Sequence, residues 1–258
     1  MPLWLSMYIL FIAALFGAAM GSFANCAAAR LSSGQSAMKG RSHCPACGHV
    51  LGVPDLFPIF SYLFLRGRCR YCDARISARC LYTELMGAAL CVSLVLRYGV
   101  TLQAAAYMAV LFLMLAAALV DMDTGLIPNR FILMGIGVFL IYALLQRPVW
   151  PALSRGLLGG AAASVPLLLF VLLADKLMGR ETMGGGDIKL FFMAGLYFDW
   201  KCSILLLIFS CLCGIAFAVI VRQKRGEEFP FGPGIAMGAW ITALAGAPLL
   251  QWYMGLFL

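Results

Sequence analysis

The chain is organised around one short stretch, Gly184-Gly185-Gly186-Asp187-Ile188-Lys189-Leu190. Three consecutive glycines precede a carboxylate, and a new apolar run begins directly after it. An ionisable side chain set between apolar runs is costly to keep near a bilayer, and such residues usually mark functional sites. Asp187 is therefore the first candidate for a functional residue.

The composition around this stretch is that of a membrane protein. Of the 258 residues, 63% are hydrophobic and 12% are charged, which excludes an ordinary soluble domain. Several apolar runs reach roughly 17–25 residues, the length of a bilayer-spanning helix. The net charge of +8 does not indicate nucleic acid as a partner, because most Lys and Arg residues lie in a few loops between apolar runs. We predict an all-α polytopic protein whose partner is the lipid bilayer.

Eight apolar spans are predicted along the chain. They cover residues 5–27, 80–96, 102–121, 131–146, 156–174, 188–200, 202–221 and 231–256. The sixth span is the weakest, because the stretch from Asp187 to Trp200 is only about 21 Å long as a helix, against a bilayer core of about 30 Å. A short or tilted helix would keep Asp187 near the membrane boundary. No internal repeat stands out.

The basic residues predict the orientation of the chain. With eight spans, 15 of the 19 Lys and Arg residues lie on the side of loop 28–79. The positive-inside rule makes that side cytoplasmic and puts both termini outside. We expect a first transmembrane helix at 1–27, a cytoplasmic domain at 28–79 and a seven-helix membrane domain at 80–258. Residues 1–29 contain no Lys or Arg, so we expect a retained helix and no cleavable signal.

The cytoplasmic loop carries two Cys-x-x-Cys pairs, Cys44-Pro45-Ala46-Cys47 and Cys69-Arg70-Tyr71-Cys72. Two such pairs can hold zinc tetrahedrally through four thiolates. A reducing compartment disfavours disulfides, and bound zinc would order a loop that has a small core. We therefore predict structural Zn²⁺ on Cys44, Cys47, Cys69 and Cys72. Redox dithiols or free cysteines are the alternatives, and His43 and His49 could substitute as ligands.

A second carboxylate, Asp121, ends the third apolar span on the same predicted side as Asp187. Pro128 should break the helix nearby and open the backbone at the membrane edge. Asp123 lies about 200° away from Asp121 around a helix, so only one of the two can readily face a given neighbour. Asp121 is nearer the bilayer, and we choose it as the partner of Asp187.

Two carboxylates that share a proton can carry out aspartyl proteolysis. One activates a water while the other, protonated, polarises the scissile carbonyl. Gly184, Gly185 and Gly186 let a substrate approach the backbone closely, and Asp187 would be the N-cap of the sixth helix. The alternative for Asp187 is a capping role alone. Glu84, within the second span, is either a structural hydrogen-bonding group or part of a second site.

Several motifs together resemble the type IV prepilin peptidases of bacterial pilus and type II secretion systems. The stretch Met183-Gly184-Gly185-Gly186-Asp187-Ile188-Lys189-Leu190 is similar to the GxGD signature of that family. Further matching stretches are Gly21-Ser22-Phe23-Ala24-Asn25, Arg30-Leu31, Pro54-Asp55-Leu56-Phe57-Pro58-Ile59-Phe60-Ser61-Tyr62-Leu63, Arg66-Gly67-Arg68-Cys69-Arg70-Tyr71-Cys72 and Phe231-Gly232-Pro233. The resemblance covers nearly the whole chain.

This resemblance implies an intramembrane aspartyl endopeptidase of the bacterial inner membrane. Its substrates would be prepilins or pseudopilins, from which it removes a basic leader after a glycine at the cytoplasmic face. Asp121 and Asp187 match the catalytic positions of the family, and Gly184, Gly185, Gly186, Lys189 and Glu84 are candidates for binding substrate or shaping the site. Members with the four-cysteine domain also N-methylate the new N-terminus with S-adenosylmethionine, and we expect that activity here.

Two other classes of function compete with proteolysis. Intramembrane acids and a helix broken at glycines also suit a proton- or ion-coupled transporter. A transporter would place its acids near the midplane, and it would not explain the cysteine loop. A purely structural assembly protein, with inert aspartates, is the other alternative.

Overall fold

The computed structural model describes residues 3–36, 40–179, 182–221 and 229–256. This part of the chain is helical and contains no β-strand. Its helices are α1 (Leu3–Ser32), α2 (Phe60–Phe64), α3 (Ala78–Tyr98), α4 (Leu102–Thr124), α5 (Asn129–Leu145), α6 (Val149–Met178), α7 (Gly185–Gly195), α8 (Trp200–Val221) and α9 (Gly232–Gly255). A single 3-10 turn at Val53–Asp55 precedes α2.

Each of the eight predicted apolar spans overlaps one of these helices. Among the described residues, six helices are long and apolar enough to cross a membrane, namely α1, α3, α4, α6, α8 and α9. The helix α5 has 17 residues and α7 has only 11, about 16 Å of helix. The short sixth helix is therefore confirmed, whereas the count of eight spans stays a prediction.

The orientation of the chain also stays a prediction. Five of the basic residues counted for it lie outside the described residues, namely Lys39, Arg180, Arg222, Lys224 and Arg225.

The chain divides into two compact units, Met1–Gly99 and Val100–Leu258. In the first unit, α1 and α3 pack in direct backbone contact. A Cβ on Gly17 would clash with the carbonyl oxygen of Gly87, and one on Gly21 would clash with that of Thr83. Small residues at such interfaces let membrane helices approach closely, which increases van der Waals contact.

The second unit is built around α4, the most deeply buried of the membrane-crossing helices in the described part. Two tyrosine hydroxyls connect α4 and α5 to the segment that follows α7. The Tyr197 hydroxyl donates to the carbonyl of Gly135 on α5 at 2.7 Å, and the Tyr107 hydroxyl on α4 donates to the carbonyl of Tyr197 at 3.2 Å. The helices α6 and α7 meet at Gly159 and Gly195, where an added Cβ on Gly195 would lie 2.7 Å from the Gly159 oxygen.

The segment after α4 is sharply defined. The helix ends at Thr124, and Gly125 follows in the left-handed conformation with φ 68°, donating its N–H to the carbonyl of Asp121 at 2.8 Å. Such a glycine is a common end for a helix because it lacks a Cβ. Pro128 is the N-cap of α5, which begins at Asn129. The chain therefore leaves the helical conformation between Thr124 and Asn129, and the predicted break near Pro128 is confirmed.

Candidate functional site

Asp121 lies in the last turn of α4, and only 5% of it is exposed. Its Oδ2 accepts the backbone N–H of Gly232 at 2.8 Å. Gly232 is the first residue of α9, so its N–H has no partner within that helix. The Asp121 carboxylate at the end of α4 is thereby held by the backbone at the beginning of α9.

Asp187 lies in the first turn of α7, facing the same region. The prediction that it is an N-cap is wrong, because α7 begins at Gly185 and Gly184 is the N-cap. Oδ1 of Asp187 is buried and makes no hydrogen bond within the described residues. Burial, followed by the nearby Asp121 carboxylate, raises the pKa of Asp187 to about 7. The two predicted carboxylates are thus close enough to interact.

The three glycines before Asp187 differ in their surroundings. A Cβ on Gly186 would lie 3.2 Å from Cβ of Ile127, in the loop that follows Asp121. On Gly184 it would lie 3.6 Å from Oδ2 of Asp187, and on Gly185 it would meet nothing within 4 Å. Gly186 therefore lets the loop after α4 pack against the start of α7, which brings the two carboxylates together.

Lys189 is the fifth residue of α7, and its side chain is exposed. Its Nζ donates to Oδ1 of Asn129, the first residue of α5, at 3.3 Å. This bond ties the beginning of α7 to the beginning of α5. Asp123, the alternative partner of Asp187, is exposed.

Gly232 is a site residue that the carboxylate reasoning missed. It follows Asp121 by 111 residues, so no local spacing connects the two. The signal was present in the stretch Phe231-Gly232-Pro233, which was used only as a family motif. An added Cβ on Gly232 would lie 2.8 Å from Oδ2 and 3.2 Å from Cβ of Asp121, so the close contact requires glycine.

We expect Gly232→Ala to reduce any chemistry that depends on Asp121 by about 100-fold, because displacing a catalytic group by about 1 Å can cost that much. Gly137→Ala is the matched control, since a Cβ there meets no atom within 4 Å. Turnover of the substrate proposed below, measured for both variants at equal protein amounts, checks this. Equal activity of the two variants would contradict the positioning role of Gly232.

The four predicted cysteines come together in the first unit. The Sγ atoms of Cys44, Cys47, Cys69 and Cys72 all lie within 4.8 Å of one another. The Cys44 and Cys72 sulfurs are 3.8 Å apart, far beyond a disulfide bond. Tetrahedral zinc with bonds of about 2.3 Å places its sulfurs about 3.8 Å apart, so the residues fit this ion.

The charge of these sulfurs also suits a cation. Backbone N–H groups of Cys47 and Ala46 lower the pKa of Cys44 to about 6. At Cys72 the N–H of Ala74 favours the thiolate, but partial desolvation of the sulfur and its hydrogen bonds with the neighbouring cysteines raise its pKa to about 12. Four thiolates this close repel one another, and a bound divalent ion would relieve that repulsion.

The two halves of the cysteine module share one backbone pattern. The N–H of Cys44 donates to the carbonyl of His49 at 2.9 Å, and that of Cys69 donates to Ala74 at the same distance. Isolated antiparallel bridges pair His43 with Val50 and Arg68 with Arg75. The two cysteine turns therefore share a local backbone pattern at a 25-residue offset.

Glu84 belongs to the first unit and is buried. Its Oε2 accepts the N–H of Ile59 at 2.6 Å, a residue with a φ of 66° just before α2. Glu84 thus holds the segment after the first cysteine pair against α3. Its assignment to a substrate site stays a prediction.

These features define a polytopic helical membrane protein that carries two interacting carboxylates where the ends of α4, α7 and α9 meet. Two family models match its sequence. Residues 15–98 match the bacterial peptidase A24 N-terminal domain, and residues 108–219 match the type IV leader peptidase family.

Curated relatives share most of the chain. A Bacillus subtilis prepilin leader peptidase/N-methyltransferase is 35% identical over 95% of this chain and 97% of its own length. Proteins of the same name from Pseudomonas putida and Aeromonas hydrophila are 33% and 32% identical, over 80% and 84% of this chain and 72% and 76% of their own lengths. No solved structure matches the chain. The chain belongs to the type IV leader peptidase family.

Proposed function

We propose that this protein removes the leader peptides of type IV prepilins or pseudopilins and then N-methylates the new N-terminus. Membership in a peptidase family supports the first activity, and the name that its relatives share supports both. The observation that carries the proteolytic assignment is the interaction of Asp121 with Asp187 at the meeting point of three helix ends. Nothing in the comparisons supports the transporter alternative.

The geometry suggests distinct roles for the two carboxylates. Asp121, already accepting the Gly232 N–H, acts as general base and takes a proton from the attacking water. Asp187, protonated, donates a hydrogen bond to the scissile carbonyl as the C–O bond to water forms. Asp121 then passes its proton to the leaving amine as the C–N bond breaks. No covalent enzyme intermediate is needed.

For the cofactors, we propose Zn²⁺ on the four clustered cysteines as a structural ion. The name of the relatives implies S-adenosylmethionine, which when bound would supply the methyl group for the new N-terminal amine. A cavity of about 520 Å³ beside Cys69 is lined by Arg66, Arg68 and Arg70. Asp73 lines it as well, and Arg68 and Arg70 are ion-paired with Asp73 and Asp55, so we assign no ligand to that cavity.

For the location, we propose the bacterial inner membrane with the carboxylates at the cytoplasmic face and both termini outside. The six apolar helices support an integral membrane protein. A prepilin whose apolar helix lies in the bilayer presents its cleavage site near the membrane surface. The beginning of α7, a helix too short to cross, is where such a site would meet Asp187.

The test is a mass measurement on purified protein in detergent. A prepilin with an intact leader is incubated with the enzyme, with and without S-adenosylmethionine. We expect loss of the leader mass in both samples, and a gain of one methylene only with the methyl donor. Intact prepilin in both samples would contradict the proteolytic assignment; cleavage without the gain would contradict methylation alone.

The raised pKa of Asp187 predicts a falling rate above neutral pH. The mechanism needs a proton on Asp187, and that proton is lost as the pH rises through about 7. We expect kcat/KM for leader removal to fall up to about tenfold per pH unit on the alkaline side. Initial rates from about pH 6 to about pH 9 check this. A flat or rising profile across that range would argue against the assigned role.

A further inference from the structure

Exposed apolar side chains form a cluster on the segment between the two cysteine turns. Phe60, Leu63 and Phe64 lie on α2, at the three- and four-residue spacing that places side chains on one face of a helix. Phe57 precedes α2, and its ring lies 5.6 Å from that of Phe60, so it extends the same surface. These four residues, the α2 cluster, are between 44% and 84% exposed. A contiguous exposed apolar surface usually marks a site of interaction.

The hydrogen bond between Ile59 and Glu84 fixes the level of the α2 cluster along α3. Ile59 is the N-cap of α2, and its N–H donates to Oε2 of Glu84 at 2.6 Å. The 21 residues of α3 measure about 30 Å, the thickness of the hydrocarbon core of a bilayer. Glu84 is the seventh of them, about 9 Å along the helix from Ala78. A helix that spans the core therefore places Glu84 at or inside its boundary, and the α2 cluster is held at the depth of the membrane interface.

Two further features agree with this depth. Tyr82, in the second turn of α3, is exposed, and tyrosines are enriched where membrane helices cross the interface. Ile59 has a φ of 66°, a conformation that a β-branched residue keeps only when its surroundings enforce it. Non-helical backbone at membrane depth must find its hydrogen-bond partners within the protein. Glu84 supplies that partner to Ile59, which explains a buried carboxylate in an apolar helix.

The polar side of the α2 cluster suits phospholipid headgroups. Arg66 follows the end of α2 by two residues, is exposed, and forms no ion pair within the described residues. It lines the same cavity as Phe64, so its guanidinium group adjoins the apolar surface. Guanidinium groups bind phosphate well, and membrane segments that lie in the interface combine aromatic residues with such cations. At this depth, the partner that offers both apolar chains and phosphates is the lipid bilayer.

We propose that the α2 cluster is an interfacial anchor, which inserts into the phospholipid leaflet in which α3 begins. Arg66 binds the lipid phosphates, and Glu84 is the positioning residue that holds the anchor at this depth. The segment between the cysteine turns thus lies in the membrane surface. The proposal concerns the first unit alone and does not depend on the peptidase activity proposed above.

Photocrosslinking in lipid tests the anchor. Phe64, the most exposed member of the α2 cluster, is replaced by p-benzoylphenylalanine in the full chain, which is reconstituted into nanodiscs of phosphatidylethanolamine and phosphatidylglycerol. Tyr71 is the matched control, because it is an exposed aromatic residue in the second cysteine turn. We expect phospholipid adducts from the probe at Phe64 and few from the probe at Tyr71. Adducts to protein instead of lipid at Phe64, or equal lipid adducts at the two positions, would overturn the anchor.

Variants of Glu84 test the positioning role with the same probe. Glu84→Leu removes the acceptor of the Ile59 N–H, whereas Glu84→Gln keeps an oxygen there. We expect Glu84→Leu to lose most of the lipid adducts at Phe64 and Glu84→Gln to retain them. A probe at Leu96, which is exposed on α3, should form lipid adducts in both variants and so checks that the helices remain inserted. Equal adducts at Phe64 in the two Glu84 variants would overturn the positioning role.

Discussion

Asp121→Asn and Asp187→Asn should each reduce leader removal by about 10³-fold or more. Each substitution keeps the shape of the side chain but removes a group that the mechanism needs, the general base in one case and the shared proton in the other. A positioned acid or base contributes about 10²–10⁴-fold to the rate. Because the two carboxylates work as a unit, the double variant should be little worse than either single variant.

Asp123→Asn is the control within the same helix. Asp123 follows Asp121 by two residues but is exposed, so the same chemical change there should leave the rate within about twofold. Product mass and initial rate are measured for all variants at matched protein amounts, with thermal unfolding as a check on folding. If Asp187→Asn still cleaves while Asp123→Asn does not, the wrong pair has been chosen.

Replacing Cys44 and Cys47 together by serine should remove the metal and unfold the cysteine module. Structural zinc sites contribute about 10–16 kcal/mol of apparent binding free energy, which a module without a large apolar core cannot replace. Among the described residues from 40 to 77 only Cys44, Gly67 and Cys69 are buried, so the two cysteine turns share little apolar core. We expect one zinc per chain in the wild type and less than about a tenth of that in the variant.

The consequence for the fold is measured by limited proteolysis and hydrogen exchange. The segment between the first and last cysteine should become rapidly cleaved and exchanged, while α4 to α9 keep their protection. Cys211→Ser is the control, because Cys211 is also exposed but lies on α8. A wild-type protein that contains no metal, or a double variant with an intact module, would refute the structural zinc site.

The sequence allowed good prediction wherever a functional residue is recognisable from its neighbours. The Cys-x-x-Cys pairs predicted their own cluster, because both the residue type and the spacing are dictated by tetrahedral coordination. Asp121 and Asp187 were identified from their costly position beside apolar runs, and they do interact. Their catalytic roles stay predictions until the variants are measured.

The features that sequence reasoning missed depend on backbone conformation or on distant contacts. Asp187 was expected as an N-cap, since aspartate prefers that position, but the preceding glycines allowed the helix to start earlier. The pattern shared by the two cysteine turns lies in backbone hydrogen bonds, and in the sequence it is marked by the cysteines and by the pair Arg41 and Arg66. The contact between Gly232 and Asp121 forms across 111 residues.

That last contact has a consequence for biosynthesis. A nascent chain that has been inserted through α8 already contains both aspartates, but Asp121 still lacks the N–H that α9 supplies. The proposed site is therefore complete only once α9 has packed against the end of α4.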